Sequence, residues 1–157
     1  MKKILLLSNL FFTLISLAQG PWDFNNDHMG WTEGACSISD TPTTVVLTTN
    51  GGTNPTFGNL TAGVDATNNK YAAITLKNSA NGPTFLRVSY PNGTGGRVYK
   101  ATTISTGDAS FITYYIDLTN ANWTGTVDDV KLHFKVDDGS SGGANYTSTG
   151  ETIEIDK

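Results

Sequence analysis

The amino-acid sequence predicts an all-β protein, built as a two-sheet antiparallel β-sandwich. Short runs of Thr, Val, Ile and aromatic residues alternate with polar residues, which is the two-residue period of a strand with one buried face. Gly, Asn, Asp and Pro cluster between these runs, as tight turns require. No stretch after residue 18 has the period of an amphipathic helix.

The chain opens with a segment typical of a secretory signal peptide, residues 1–18. Two lysines precede an apolar stretch, and the stretch ends at Ala18, a small residue of the kind that a signal peptidase needs. The segment is too short for a membrane span. We therefore expect a secreted or cell-surface protein without membrane insertion, in which residues 19–157 form a single β-sandwich domain.

Nine strands follow, separated by turn signals such as Asn-Gly-Gly at 50–52 and Pro-Asn-Gly at 91–93. The predicted strands are Trp22–Asn25, Trp31–Ile38, Thr44–Thr49, Tyr71–Asn78, Thr84–Tyr90, Arg97–Thr102, Phe111–Asp117, Val127–Val136 and Glu151–Asp156. This many short strands at this spacing in one domain favour a jelly roll.

The balance of charged residues argues against one class of partner, and the cysteine count argues against one kind of cross-link. The chain has 10 Lys and Arg against 14 Asp and Glu, a formal net charge of −4, so nucleic acid is not expected as a partner. Cys36 is the single cysteine, which excludes an internal disulfide. Because it lies in a predicted strand, we interpret Cys36 as a small buried hydrophobe and not as a nucleophile.

Alternation within three strands places a set of polar side chains on the face away from the core. Lys131, His133 and Lys135 alternate with apolar residues in one strand, and Arg87 and Ser89 do so in another. Arg97 and Tyr99 flank Val98 in the third. In a jelly roll, the Arg87 strand would lie beside the His133 strand, with the Tyr99 strand next along.

The short motifs, taken in order, resemble the galactose-binding-like jelly rolls. They read WDFN at 22–25, GWT at 30–32, AITLKN at 73–78, LRVSY at 86–90, YIDLT at 115–119, WTG at 123–125 and IEID at 153–156. Such domains occur as carbohydrate-binding modules in secreted bacterial polysaccharide-degrading proteins, particularly of Bacteroidetes. The resemblance implies a polysaccharide or oligosaccharide partner and other domains of a longer secreted protein. The family's last strand runs on past its Asp, so an end at Lys157 would leave that strand truncated.

The polar face fits such a partner if the sugar carries carboxylates or sulfates. Arg presents a planar fork of donors to such anions. An aromatic ring can stack on the apolar face of a pyranose. The predicted carbohydrate-binding residues are Arg87, Ser89, Arg97, Tyr99, Lys131, His133 and Lys135. The alternative interpretation is a solvated sheet face on which alternate residues are simply polar.

The resemblance also implies a structural Ca²⁺ where the first strand meets the last. Asp23, Asn25 and Asp156 stand at the matching positions and offer the hard oxygen ligands that Ca²⁺ takes. The alternative is that both aspartates merely end their strands.

Catalysis has little support in the sequence. A glycosidase needs two carboxylates across a cleft, whereas the pairs Asp128-Asp129 and Asp137-Asp138 are adjacent, so their side chains diverge. The two histidines, His28 and His133, have no triad spacing. We therefore predict a secreted, non-catalytic carbohydrate-binding module. A structural or adhesive surface module without sugar specificity is the first alternative, and a small lyase or hydrolase is the second.

Overall fold

The computed structural model describes residues 22, 24, 27–137 and 144–156. The predicted signal peptide and the predicted metal ligands Asp23 and Asn25 lie outside these residues. The described strands are β1 (Thr32–Gly34), β2 (Cys36–Asp40), β3 (Val45–Asn50), β4 (Thr56–Asn59), β5 (Val64–Asp65), β6 (Tyr71–Asn78), β7 (Phe85–Pro91), β8 (Arg97–Thr103), β9 (Ile112–Asp117), β10 (Thr126–Val127), β11 (Val130–Lys135) and β12 (Thr149–Ile155).

Two five-stranded antiparallel sheets form a sandwich, as predicted. The first sheet has the order β1-β4-β11-β7-β8 and the second the order β2-β3-β12-β6-β9, with β5 and β10 as a separate short pair. The inward positions of both sheets fill the core, as the alternation requires. Fully buried side chains there include Val45, Leu47, Phe57, Leu76, Leu86, Val88, Phe134, Ile153 and Ile155. Within the described residues, no helix is long and apolar enough to cross a membrane.

The predicted strand Trp31–Ile38 is wrong as a single element. Ala35 has a φ of 58°, a left-handed conformation that interrupts the strand. The break sends β1 into the first sheet and β2 into the second. The predicted strand at 22–25 is not supported either, since Trp22 and Phe24 lie outside any strand. Both side chains instead pack by their ring edges on Trp31, with centroids 5.1 and 6.2 Å away.

Strand β4 has no counterpart in the prediction, although it lies between β1 and β11. Its short sequence TFGN has one apolar side chain and a glycine, too little for the alternation to be recognised. Gly58 is opposite Lys131 in the register. A Cβ at Gly58 would come within 2.5 Å of Lys131 Cγ, so the glycine makes room for the lysine stem.

Cys36 is buried, as predicted for a small hydrophobe. Burial raises the pKa of its thiol, which keeps the sulfur in its unreactive protonated form.

Candidate functional site

Strand pairing brings the predicted binding residues together on one surface. The Arg87 strand β7 lies beside the His133 strand β11, as predicted, and the Tyr99 strand β8 pairs with the other edge of β7. His133 is opposite Arg87, Lys131 is opposite Ser89, and Ser89 is opposite Tyr99. Because directly opposed residues share a face, these side chains all project from the outer side of the first sheet. We call the surface formed by Arg87, Ser89, Arg97, Tyr99, Lys131, His133 and Lys135 the cationic face.

The members of the cationic face differ in their access to solvent. Tyr99 is 47% exposed, whereas Ser89 is fully buried and Lys135 is only 7% exposed. Arg87, Arg97, Lys131 and His133 are half-buried. A ligand lying on this face would therefore meet Tyr99 and the half-buried cations, with Ser89 beneath them.

Arg97 is fixed by several hydrogen bonds. Its Nε donates to Ser89 Oγ at 2.9 Å, and its Nη2 donates to the Ser89 carbonyl at 3.0 Å. Its Nη1 donates to Asp129 Oδ2. These bonds use the planar fork of the guanidinium inside the protein, so Arg97 is tied to Ser89 and Asp129.

Asp129 is a member of this site that the sequence prediction missed. Its carboxylate binds Arg97, and its Oδ1 lies 3.3 Å from Lys131 Nζ. Burial alone would raise the pKa of Asp129, but the hydrogen bonds from Arg97 and Lys131 outweigh it and the pKa is lowered. Asp129 has a φ of 49°, an unusual backbone for a residue other than glycine. The available signal was its position two residues before Lys131 in the predicted strand Val127–Val136, because residues two apart in a strand point to the same face.

Tyr99 is held in place by its neighbours. The guanidinium carbon of Arg87 lies 4.2 Å from the centroid of the Tyr99 ring, within cation–π range. The ring also makes an edge contact with His133, with the centroids 5.8 Å apart. The exposed aromatic ring of this face is thus pre-positioned beside two polar side chains.

His133 is neutral at pH 7. Burial is the largest cause of its lowered pKa, and together with the positive charges of Arg87, Arg97, Lys131 and Lys135 it brings the pKa from 6.5 to about 4. Its Nε2 lies 2.7 Å from Ser89 Oγ. Because Arg97 Nε can only donate to that oxygen, the Ser89 hydroxyl proton is left for the unprotonated Nε2. In this tautomer the order of donation runs from Arg97 through Ser89 to His133.

Asp156 is the predicted metal ligand that the structure describes. It follows β12, and its backbone N–H donates to the Thr75 carbonyl at 2.9 Å. Among the described residues, no group of three or more His, Cys, Asp or Glu side chains is placed to hold a metal ion.

A cavity of about 300 Å³ lies between the two sheets. Its lining is mostly apolar and includes Trp22, Phe24, Trp31, Leu132 and Ile155. The cavity is thus separate from the cationic face, and it brings the residues on either side of position 23 near the end of β12.

Comparisons with known proteins identify the fold. No protein-family profile and no curated protein sequence matches the chain. Solved structures of variants of family 29 carbohydrate-binding modules do match it. One is 14% identical with a TM-score of 0.51, covering 85% of this chain and 84% of that one. Another is 13% identical with a TM-score of 0.54, covering 86% and 84%.

A third variant of a family 29 module was solved in complex with mannohexaose. It is 14% identical with a TM-score of 0.51, covering 86% of this chain and 85% of that one. At such identities the likeness shows the fold, and the predicted jelly-roll β-sandwich is confirmed. The galactose-binding-like subclass and the Bacteroidetes origin stay predictions.

Proposed function

We propose that this protein is a non-catalytic module that binds a polysaccharide on the cationic face, and that the sugar carries carboxylates or sulfates. The observation that carries the proposal is that three adjacent strands bring four cationic side chains to the same face as Tyr99, with Arg87 packed on the Tyr99 ring. The fold is consistent with this role, since a family 29 module of the same fold was solved with a bound oligosaccharide.

The contacts within the face support recognition of an anionic sugar. Arg87 is already packed on the Tyr99 ring, so little side-chain freedom is left to lose when a ligand binds. A sugar stacked beside Tyr99 would bring its acidic group next to a guanidinium, which binds carboxylates and sulfates strongly. Neutral His133 would contribute hydrogen bonds and not charge.

The same contacts argue against acid–base catalysis at this face. Asp129 is engaged by Arg97 and Lys131, and its lowered pKa keeps it ionised. A general acid would need a raised pKa and an open approach to the substrate. The role we propose for Asp129 is to hold two of the cations in place.

Retention during native electrophoresis through polysaccharide-containing gels tests the proposal. We expect polygalacturonate, alginate or carrageenan to slow the wild-type protein, and Arg87→Ala and Tyr99→Ala to restore its mobility. Lys70→Ala is the matched control, because it removes one exposed positive charge outside the face. Unchanged retention in both face variants would place binding elsewhere. Lack of retention on every anionic gel would favour the structural or adhesive module.

We further propose that the protein is secreted, on the strength of the signal-like segment at residues 1–18. N-terminal sequencing of the exported protein tests this. We expect the mature chain to begin at Gln19, and an exported chain that retains Met1 would contradict it.

We also propose a structural Ca²⁺ held by Asp23, Asn25 and Asp156. Trp22, Phe24 and Ile155 line one cavity, which supports proximity between the neighbours of Asp23 and those of Asp156. Added Ca²⁺ should raise the melting temperature of the wild-type protein but not that of Asp156→Asn, because a bound ion stabilises the folded state. An equal response of the two proteins to Ca²⁺ would refute the site.

A further inference from the structure

The outer side of the second sheet carries a separate aromatic surface. Tyr71 in β6 is 63% exposed, Tyr115 in β9 is 68% exposed, and Phe111 just before β9 is 38% exposed. Exposed aromatic rings grouped on one surface often mark a binding site, so three of them on or beside two neighbouring strands call for an explanation.

The register places these rings in one strip. Tyr71 is opposite Asp117, Ala73 is opposite Tyr115, and Thr75 is opposite Thr113. Tyr71 and Tyr115 are therefore diagonal neighbours on the same face, with Cα atoms about 7–8 Å apart. The small side chain of Ala73 leaves the ring of Tyr115 uncovered on that side. We call the surface formed by Tyr71, Ala73, Thr75, Lys77, Phe111, Thr113, Tyr115 and Asp117 the aromatic strip.

Polar groups alternate with the rings along the strip. The hydroxyls of Thr75 and Thr113 lie 2.8 Å apart between its two ends. At one end, Lys77 Nζ lies 5.4 Å from the centroid of Phe111 and 2.9 Å from Glu154 Oε2. From residue 71 to residue 77 the strip is about 20 Å long at the usual rise of a strand. It thus has the dimensions of a short oligosaccharide.

We infer that the aromatic strip binds an uncharged oligosaccharide, as a second glycan surface on the sheet opposite the cationic face. Exposed rings on one face of a sheet suit the apolar faces of pyranoses. The threonine hydroxyls and Asp117 suit sugar hydroxyls as hydrogen-bond partners. Lys77 is neutralised by Glu154 and Asp117 is acidic, so the strip offers no excess of positive charge to an anionic sugar.

The exposed area argues against a protein partner. With about 200 Å² available per aromatic residue, the exposed fractions of the three rings give roughly 350 Å² in total. A stable protein interface takes about 800 Å² from each partner. A sugar chain needs much less, because it can be held by a few stacked rings.

This inference goes beyond the function proposed above and does not depend on it. A module with a glycan surface on each sheet would attach to two chains, or twice to one chain, and would gain avidity without any new contact.

Retention on neutral gels of β-mannan, glucomannan and xylan tests the inference. We expect Tyr71→Ala and Tyr115→Ala each to weaken retention on at least one of these gels about tenfold, from the loss of one stacked ring. Tyr115→Phe should keep retention, because it keeps the ring. Leu60→Ala, which removes a side chain that is 63% exposed and lies outside both surfaces, is the control and should also keep it. Thermal unfolding of each variant reports whether its fold is intact.

Three results would overturn the inference: no retention on any neutral gel, equal retention in wild type and both alanine variants, or loss of retention in Tyr115→Phe. Analytical sedimentation could give a fourth such result. If the wild-type protein forms a concentration-dependent dimer and Tyr115→Ala abolishes it, the aromatic strip is a protein interface. The anionic gels with Arg87→Ala test the cationic face, and the neutral gels test the aromatic strip. Either proposal can therefore fail without the other.

Discussion

Neutral His133 makes the stability of the folded domain depend on pH. Its pKa is lowered from 6.5 to about 4 by burial and by four neighbouring cations. Between pH 4 and pH 6.5, His133 is mostly protonated in the unfolded chain and mostly unprotonated in the folded chain. Stability from this group is therefore fully present above pH 6.5 and is lost as the pH falls towards 4.

The size of this change in the free energy of unfolding follows from the pKa of His133 in the unfolded chain and in the folded chain. At pH 7 the histidine is mostly neutral in both states, whereas at pH 5 it is charged only in the unfolded chain. The free energy of unfolding should therefore fall by about 2 kcal/mol between pH 7 and pH 5 through His133 alone. His133→Gln removes the titrating group while its amide can still bond to Ser89.

Urea denaturation at pH 7 and pH 5 measures this difference. The carboxylates titrate alike in both proteins, so the wild type should lose about 2 kcal/mol more than His133→Gln over this range. His28→Gln is the control, because it removes the exposed histidine beside Asp40 and leaves His133 in place. Equal losses in the wild type and His133→Gln would refute the assignment of a buried neutral imidazole.

Three further predictions concern the cationic face. Asp129→Ala leaves the half-buried Arg97 and Lys131 without their carboxylate and should cost about 2 kcal/mol in urea denaturation; a cost below about 0.5 kcal/mol would contradict that role. Gly58→Ala places a methyl group against Lys131 and should cost at least about 1 kcal/mol in the same assay, whereas an unchanged midpoint would mean that the lysine stem moves aside freely. Retention on anionic gels should fall steeply as NaCl is raised from about 0.05 to 0.5 M while retention on neutral gels does not, because salt screens exposed charges; a salt-independent anionic retention would contradict charge recognition.

The strands with regular alternation were predictable, and so was the face that they form. Leu86 and Val88 alternate with Arg87 and Ser89, so period two alone assigned both sides of β7. The neighbouring strands followed from the jelly-roll order. Alternation did not predict how deeply each side chain of the outer face is buried. Lys135, for example, lies in a strand paired on both sides and is almost completely covered.

Features set by long-range contacts could not be predicted. Nothing in the local sequence marks Ala35 as a residue with a positive φ, because the conformation follows from the crossing between the sheets. Asp129 and Arg97 are 32 residues apart, and only strand pairing brings them together. The prediction thus found the cations of the face but missed the carboxylate that orders two of them.

The pKa of His133 in the cationic face is lowered first by burial and then by the charges of the face itself. Four cations surround His133, and their repulsion contributes to its low pKa. An anionic sugar bound there would offset part of that repulsion and would raise the pKa of His133. By linkage, protonation of His133 must then favour the anion to the same degree. Acidification below neutral pH therefore destabilises the unliganded domain while it strengthens the binding of a sulfated ligand, whose own charge does not titrate in this range. Opposite effects of one proton on stability and on binding would identify His133 as part of the ligand-binding surface, since a histidine remote from the ligand would change stability alone.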